Sequence, residues 1–322
     1  MSAAGDAAGD AQEAPLLSKL AWGFVWYLLF VILFGAWVRI TGSGAGCGDH
    51  WPLCDGQVVP RAPSAERVIE YTHRVTSGLC GVVAIGFLVA CARRFGFGHR
   101  VSRAALATLL FVIVEGAIGA MLVKLELVAG DTSSARGVVV GLHLGNTLLL
   151  TGCAALMAWL AGAGSRVRFA RAPLPEWWFL AVLGGLAFTS MLGAVTALGD
   201  TLFPVGSEAA ETAAGHVLVR LRVVHPAVAI GVTALLIGFG HKVVSAGVSA
   251  QARRWTARLG MLVVVQVIFG FVNIGLKAPG WAQLVHLLLA QGLWICAVLA
   301  TAAAHDARGP DDAGEGRAAI AA

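Results

Sequence analysis

Four of the nine histidines in this chain share one setting: His73, His143, His225 and His286. Each stands a short way inside the start of a long apolar segment, the second, fourth, sixth and eighth of eight. A chain that alternates across a membrane enters all four from the same side, so the four imidazoles reach about the same depth. An ionisable side chain inside a membrane marks a functional site by default. Paired imidazoles on facing helices suit the two axial positions of haem iron, which gives two porphyrin sites, His73 with His143 and His225 with His286. A lone membrane histidine also serves as hydrogen-bonding glue between helices; four at equivalent places weigh against that use. Zinc prefers tetrahedral sites with mixed ligands, and apolar, glycine-rich neighbours suit a flat macrocycle better. Gly78, Gly81, Gly141, Gly145 and Gly231 lie on these segments, either to admit a porphyrin or to pack helices closely. His50, His99, His216, His241 and His305 fall at segment ends and are read as bystanders.

The two pairs differ in what stands one turn before the first ligand. Glu70 precedes His73 by three residues and Arg222 precedes His225 by three, and residues three apart share a helix face. A desolvated carboxylate beside a porphyrin accepts a proton or faces a developing cation; at the membrane edge it is instead a solvated acid. Arg222 and Arg220 suit porphyrin propionates, or snorkel to the interface. The first site therefore reads as chemical and the second as an electron-transfer or storage site. Glu115 lies mid-span, where a charge must be protonated or paired. Pro226 frees the carbonyl of Arg222 by removing a backbone donor. Cys47 and Cys54 bound a short stretch in the first loop on the histidine side. On an oxidising face they form a disulfide by default, the alternative being two free thiols; a dithiol there also allows redox exchange.

The elements that must position these residues are membrane helices. The chain has 322 residues, 58% of them apolar and 13% charged, with a mean hydropathy of +0.79. Soluble domains are about 25% charged, so this is an integral membrane protein with little outside the bilayer. Spans are expected near 22–40, 69–92, 102–123, 137–162, 177–198, 217–240, 256–276 and 281–304, each near the length of about 20 residues that crosses hydrocarbon. The first is too long, and too weakly basic before it, for a plain cleaved signal peptide. The tails, 1–18 and 306–322, are rich in Ala, Gly and acids and read as disordered. The histidines fall about 4 to 8 residues inside their spans, roughly 6–12 Å deep at 1.5 Å per residue.

Basic residues gather in the loops after spans two, four and six: Arg93, Arg94, Arg100 and Arg103, then Arg166, Arg168 and Arg171, then Lys242, Arg253, Arg254 and Arg258. Positive loops face the cytoplasm, so both termini are expected on the cytoplasmic side of the cell membrane and the histidines near its outer face. No large soluble basic surface is available for nucleic acid. Spans 1–4 and 5–8 also look like copies. Phe34-Gly-Ala matches Leu192-Gly-Ala, and Glu115-Gly-Ala-Ile-Gly119 matches Gln266-Val-Ile-Phe-Gly270. With four spans per copy the repeat is parallel, unlike the inverted repeats of many transporters. The units expected are 19–165, with the first histidine pair, and 175–305, with the second.

Several of these strings together resemble the haem A synthase family. They are Gly35-Ala-Trp-Val-Arg-Ile-Thr-Gly-Ser-Gly44, Gly46-Cys47 through Trp51-Pro-Leu-Cys54, Glu70-Tyr-Thr-His73-Arg74, Gly141-Leu-His143-Leu-Gly-Asn146, Arg222-Val-Val-His225-Pro226 and Leu284-Val-His286. The resemblance covers about residues 22–304. It implies an all-α fold of eight transmembrane helices in two pseudo-symmetric four-helix bundles. It implies haem b on His225 and His286, and the substrate haem O on His73 and His143. Glu70 matches the family's essential acid, and Cys47 and Cys54 its outer-loop disulfide. The reaction implied is oxidation of the porphyrin's position-8 methyl to a formyl group, with water supplying the oxygen. Haem O synthase and cytochrome oxidase assembly are the implied partners, and a homo-oligomer is allowed. Glu115 departs from the pattern, which has a glutamine-like residue there. Two other readings stay open: a haem b electron-transfer protein exchanging electrons with quinone, and a haem-export module. Glu70, without a counterpart in the second half, and the cysteine loop favour the synthase.

Overall fold

The computed structural model describes residues 14–61, 64–163, 172, 174–213 and 215–306. Arg166, Arg168 and Arg171, and most of both expected tails, lie outside the described residues. Among the described residues the chain forms α1 (Pro15–Ile40), α2 (Ala65–Phe95), α3 (Arg100–Lys124), α4 (Ser134–Ala163), α5 (Glu176–Leu202), α6 (Glu208–Thr212), α7 (Val217–Ser245), α8 (Ala250–Gly275) and α9 (Gly280–Ala304). All but α6 are long and apolar enough to cross a membrane. The protein is all-helical and multi-pass because a helix satisfies its backbone groups within one segment, as hydrocarbon requires.

Local signals set the helix ends. Pro15 opens α1, where a missing N–H costs nothing, so residues 15–18 form its first turn rather than part of a tail. Ser64 caps α2 by accepting from the Arg67 N–H. His99 and His216 cap α3 and α7 through their ring nitrogens, accepting from Val101 and Leu218. These two bystanders therefore have a local structural task. The single turn α6, capped by Ser207, was not expected from the sequence.

Helix α1 packs on α2 and α4, and α3 packs on the same two. In the second half α5 packs on α7 and α9, and α8 on the same two. Contacts across the seam run mainly from α4 to α5 and α9, and from α1 to α9. Helices α4 and α9 are the inner spans, with more than half of their most apolar stretch buried. Alanines make this feasible: Ala154, Ala155, Ala158 and Ala161 on α4, and Ala297, Ala300, Ala303 and Ala304 on α9, are all buried. Small side chains let helix backbones approach, which drives association where lipid is as apolar as leucine. Polar contacts fix the seam. The Trp294 indole N–H donates to the Leu148 carbonyl at 2.5 Å, in space left by Gly152. The Thr151 hydroxyl donates to Gln291 Oε1 at 3.1 Å. Large side chains such as Phe24, Trp159, Phe179, Phe239 and Leu299 fill the end away from the histidines. The histidine end is hollow.

Candidate functional site

A cavity of about 1710 Å³ occupies that end, and all four histidines line it. A small-molecule site usually measures about 300–1,000 Å³, so the space exceeds one ordinary ligand. The sequence led to two sites; the structure joins them in one continuous hollow reaching both halves. The histidines lie eight, nine, eight and six residues beyond the first residues of α2, α4, α7 and α9. That is about 9–14 Å along the axis, slightly deeper than expected because the helices start earlier than the apolar runs.

The rings of His225 and His286 have centroids 6.5 Å apart and planes at 85°. Two metal–nitrogen bonds of about 2 Å plus two imidazole radii come to roughly 6 Å, so this spacing admits one iron atom between the rings. His73 stands edge-on to Phe34, with centroids 5.7 Å apart, and lines the same hollow as His143. In all four rings Nδ1 is buried without a hydrogen-bond partner. Among the described residues, no group of three or more His, Cys, Asp or Glu converges to hold a bare metal ion. Paired imidazoles with unanswered nitrogens, in a hollow lined chiefly by apolar side chains, fit a metalloporphyrin.

Glycines make room for the rings. A Cβ on Gly35 would lie 2.9 Å from His73 Cε1, and a Cβ on Gly193 would lie 2.9 Å from His225 Cε1. Gly270 faces His286 Cε1 at 3.3 Å in the same sense. Gly35 and Gly193 are the repeat-matched glycines of α1 and α5, so each half seats its first histidine against a bare backbone. Of the glycines singled out from the sequence, Gly78 and Gly81 line the cavity. Gly141 and Gly145 instead face Val195 and Met191, packing α4 on α5. A Cβ on Gly231 would meet open space.

The polar partners complete the site. Glu70 is 4% exposed, which rules out the reading of a solvated surface acid. Its Oε2 accepts the Cys47 backbone N–H at 2.8 Å, and its Oε1 accepts from Arg74 Nε at 3.1 Å and Nη2 at 2.5 Å. Cys47 and Cys54 are joined by a disulfide and fully buried. Arg74 also donates to the Leu53 carbonyl at 2.5 Å and to the carbonyl of His50, so it ties the loop to α2. Arg222 pairs with Asp200 at 2.6 Å and donates to the Phe203 carbonyl. Arg220 is exposed and does not line the hollow. Arg74 and Asp200 had no role in the sequence reading; the acid–base complementarity of each half was the signal available.

Glu115 is paired, as a mid-span charge must be. One oxygen accepts from Asn146 Nδ2 at 2.5 Å, the other accepts from the Thr147 hydroxyl, and His143 Nδ1 lies 3.2 Å from the latter, out of line for a hydrogen bond. Its repeat counterpart Gln266 meets the matching histidine, with Nε2 3.2 Å from His286 Nε2. The two halves thus place a polar side chain from their third span against the second histidine, charged in one and neutral in the other.

A family model described as cytochrome oxidase assembly protein, COX15-CtaA, matches residues 18–298. A "Protoheme IX farnesyltransferase" of Thermus thermophilus is 43% identical over 319 residues, covering 96% of this chain and 52% of that protein. A "Heme A synthase" of Symbiobacterium thermophilum is 36% identical over 144 residues, 45% of this chain and 44% of its own length. A "Heme A synthase" of Geobacillus kaustophilus is 38% identical over 122 residues, 38% of this chain and 36% of its own. The chain spans about half the length of the first curated relatives it matches. With its model matched over most of the length, on a fold and a histidine pattern that point the same way, the chain belongs to the COX15-CtaA family of cytochrome oxidase assembly proteins.

Proposed function

We propose that the protein is a haem A synthase, oxidising the position-8 methyl of haem O to a formyl group. The observation that carries this reading is the asymmetry of the hollow: two matched histidine pairs, with the buried carboxylate Glu70 one turn before His73 and the cation Arg222 at the matching place before His225. We assign the substrate haem O to His73 and His143 in the half spanning 19–165, and haem b to His225 and His286 in the half spanning 175–305. Arg222, paired with Asp200, stands by the second site. Haem b, when bound, supplies one-electron transfer.

Each residue has a task that follows from its surroundings. The histidines hold and orient the porphyrins. The apolar lining limits access of bulk water. Converting a methyl to a formyl with water as the oxygen source releases four electrons and four protons. Glu70 lines the hollow one turn before His73, and Arg74 fixes its direction. A carboxylate held in this way suits proton acceptance and electrostatic support of positive charge developing on the reacting carbon. Glu70 is therefore the proposed catalytic residue.

The basic loops support a plasma-membrane protein with both termini in the cytoplasm. The Thermus relative, about twice as long and named for farnesyl transfer to protohaem IX, supports a haem O synthase as the neighbouring activity, and the family description supports cytochrome oxidase assembly as the destination. The test is co-expression with a haem O synthase in a host that makes no haem A, followed by haem extraction, chromatography and pyridine haemochrome spectra. Haem A formed only with this chain present is expected. Haem b bound, with haem O unchanged, would favour the electron-transfer reading.

A further inference from the structure

Arg39 and Arg136 line the hollow, yet neither has a carboxylate partner among the described residues. Arg39 donates to three neutral acceptors across the seam: the Ala197 carbonyl at 2.7 Å, the Thr201 hydroxyl, and Gln283 Oε1 at 2.8 Å. Arg136 is 5% exposed. It donates from Nη1 to the carbonyls of Ala129 and Asp131 at 2.6 and 2.7 Å, and its Nε is buried with no partner. Arg136 is buried and Arg39 half-buried, each bonded only to neutral acceptors. The carboxylates of Asp200 and Asp131 are taken up by Arg222 and by Ser133. Cations held in this way are costly, and a cavity wall is where an incoming anion would answer them.

Their register points to one porphyrin. Arg136 precedes His143 by seven residues on α4, so the two share a face about 10 Å apart along the axis. Arg39 follows Gly35, the seat of His73, by four residues on α1, again on one face and about 6 Å away. Both shifts run toward the loops at the histidine end. We propose that Arg39 and Arg136 form a carboxylate-binding subsite that takes the propionates of the porphyrin held by His73 and His143. This assignment rests on the haem reading above and deepens it. The sequence suggested a propionate role only at the second site, for Arg222 and Arg220; here the first site gains one from two residues the sequence left unassigned. The methyl at position 8 is a ring neighbour of a propionate. Residues that hold the propionate edge therefore also decide which methyl group is presented for oxidation.

The test uses iron protoporphyrin IX and its dimethyl ester as ligands for the full chain in detergent. Absorbance titration of the histidine-ligated band is run with and without His286→Ala, which removes one ligand of the other pair. The free diacid is expected to bind at least about tenfold more tightly than the diester. R39Q/R136Q should cut that preference below about twofold while keeping the histidine-ligated band, and R39K/R136K should retain most of it, which separates lost charge from lost folding. Equal binding of the two ligands by the unaltered chain, or a preference that survives R39Q/R136Q, would overturn the subsite. Absence of a histidine-ligated band with either ligand would overturn the haem reading itself.

Discussion

Glu70 Oε2 accepts the Cys47 backbone N–H at 2.8 Å, which makes the carboxylate one turn from His73 part of the disulfide loop. The loop lies against α2 through Gly46, where a Cβ would come within 2.6 Å of the Glu66 carbonyl and 2.7 Å of the Arg67 nitrogen. Backbone atoms cannot step aside as a flexible side chain can. Gly46→Ala should therefore lift the loop from α2 at a cost of about 1–3 kcal/mol and disturb Glu70 without touching a histidine. Haem A formation should fall at least tenfold while bound haem b is retained, read by haem extraction from purified protein. Unchanged haem A output would separate the loop from the chemistry.

Glu70 itself gives a sharper test. Glu70→Ala should leave the haem b spectrum in place and accumulate haem O or a hydroxylated intermediate. Normal haem A production by that variant would remove Glu70 from the reaction.

The Glu70–Arg74 pair is buried, with side chains 5% and 10% exposed. Removing one member leaves the other uncompensated, at about 3–5 kcal/mol. Glu70→Gln and Arg74→Gln should each destabilise the protein, and the double variant should lose clearly less than the sum. Unfolding in detergent, read by circular dichroism, gives the cycle. Strict additivity would mean that the two side chains do not act as a unit.

Gly35 and Gly193 should separate the two haem sites. A methyl at either position enters a ring 2.9 Å away and forces it off its seat. Gly35→Ala should reduce haem held by His73 and His143 and leave the second pair occupied, and Gly193→Ala should do the reverse. Haem-to-protein ratios with low-temperature spectra of each variant would show it. A single pattern of loss from both variants would argue against independent sites in one hollow.

Much of this was legible in the sequence because hydrocarbon imposes simple rules. Long apolar runs had to be helices, and four matched histidines marked where they converge. The seats of the rings were less legible. Phe34-Gly-Ala and Leu192-Gly-Ala appeared as repeat marks, but that Gly35 faces His73 depends on how α1 packs on α2, which no local pattern encodes. The same limit hid Arg39, whose acceptor Gln283 is 244 residues away. Arg222 stands out through its spacing from His225, whereas its partner Asp200 lies on another helix, 22 residues away, where no local spacing points to it. Helix starts were read late at α1, α2, α4 and α8 because polar or charged residues such as Lys19, Glu66, Arg136 and Arg253 set their first turns apart from the apolar runs.

Glu115 and Gln266 occupy matching places but present different groups to His143 and His286. Glu115 is also the acceptor for Asn146 and Thr147; Thr147 can still donate to the His143 carbonyl, but Glu115→Ala strands one N–H of the buried Asn146 amide, and an unsatisfied polar group costs about 1–3 kcal/mol. Glu115→Gln keeps the side-chain size and one carbonyl oxygen, but its amide nitrogen faces either Asn146 or Thr147. Glu115→Ala should lower both thermal stability and occupancy of the His73–His143 site. Glu115→Gln should recover most of the stability, since Gln266 shows that an amide is accommodated beside the equivalent histidine. Gln266→Ala should weaken haem on His225 and His286 alone. The measurement is haem occupancy at each pair alongside the melting temperature, for the three variants in parallel. Occupancy untouched by Glu115→Ala would assign this carboxylate to helix packing between α3 and α4, with no part in holding His143.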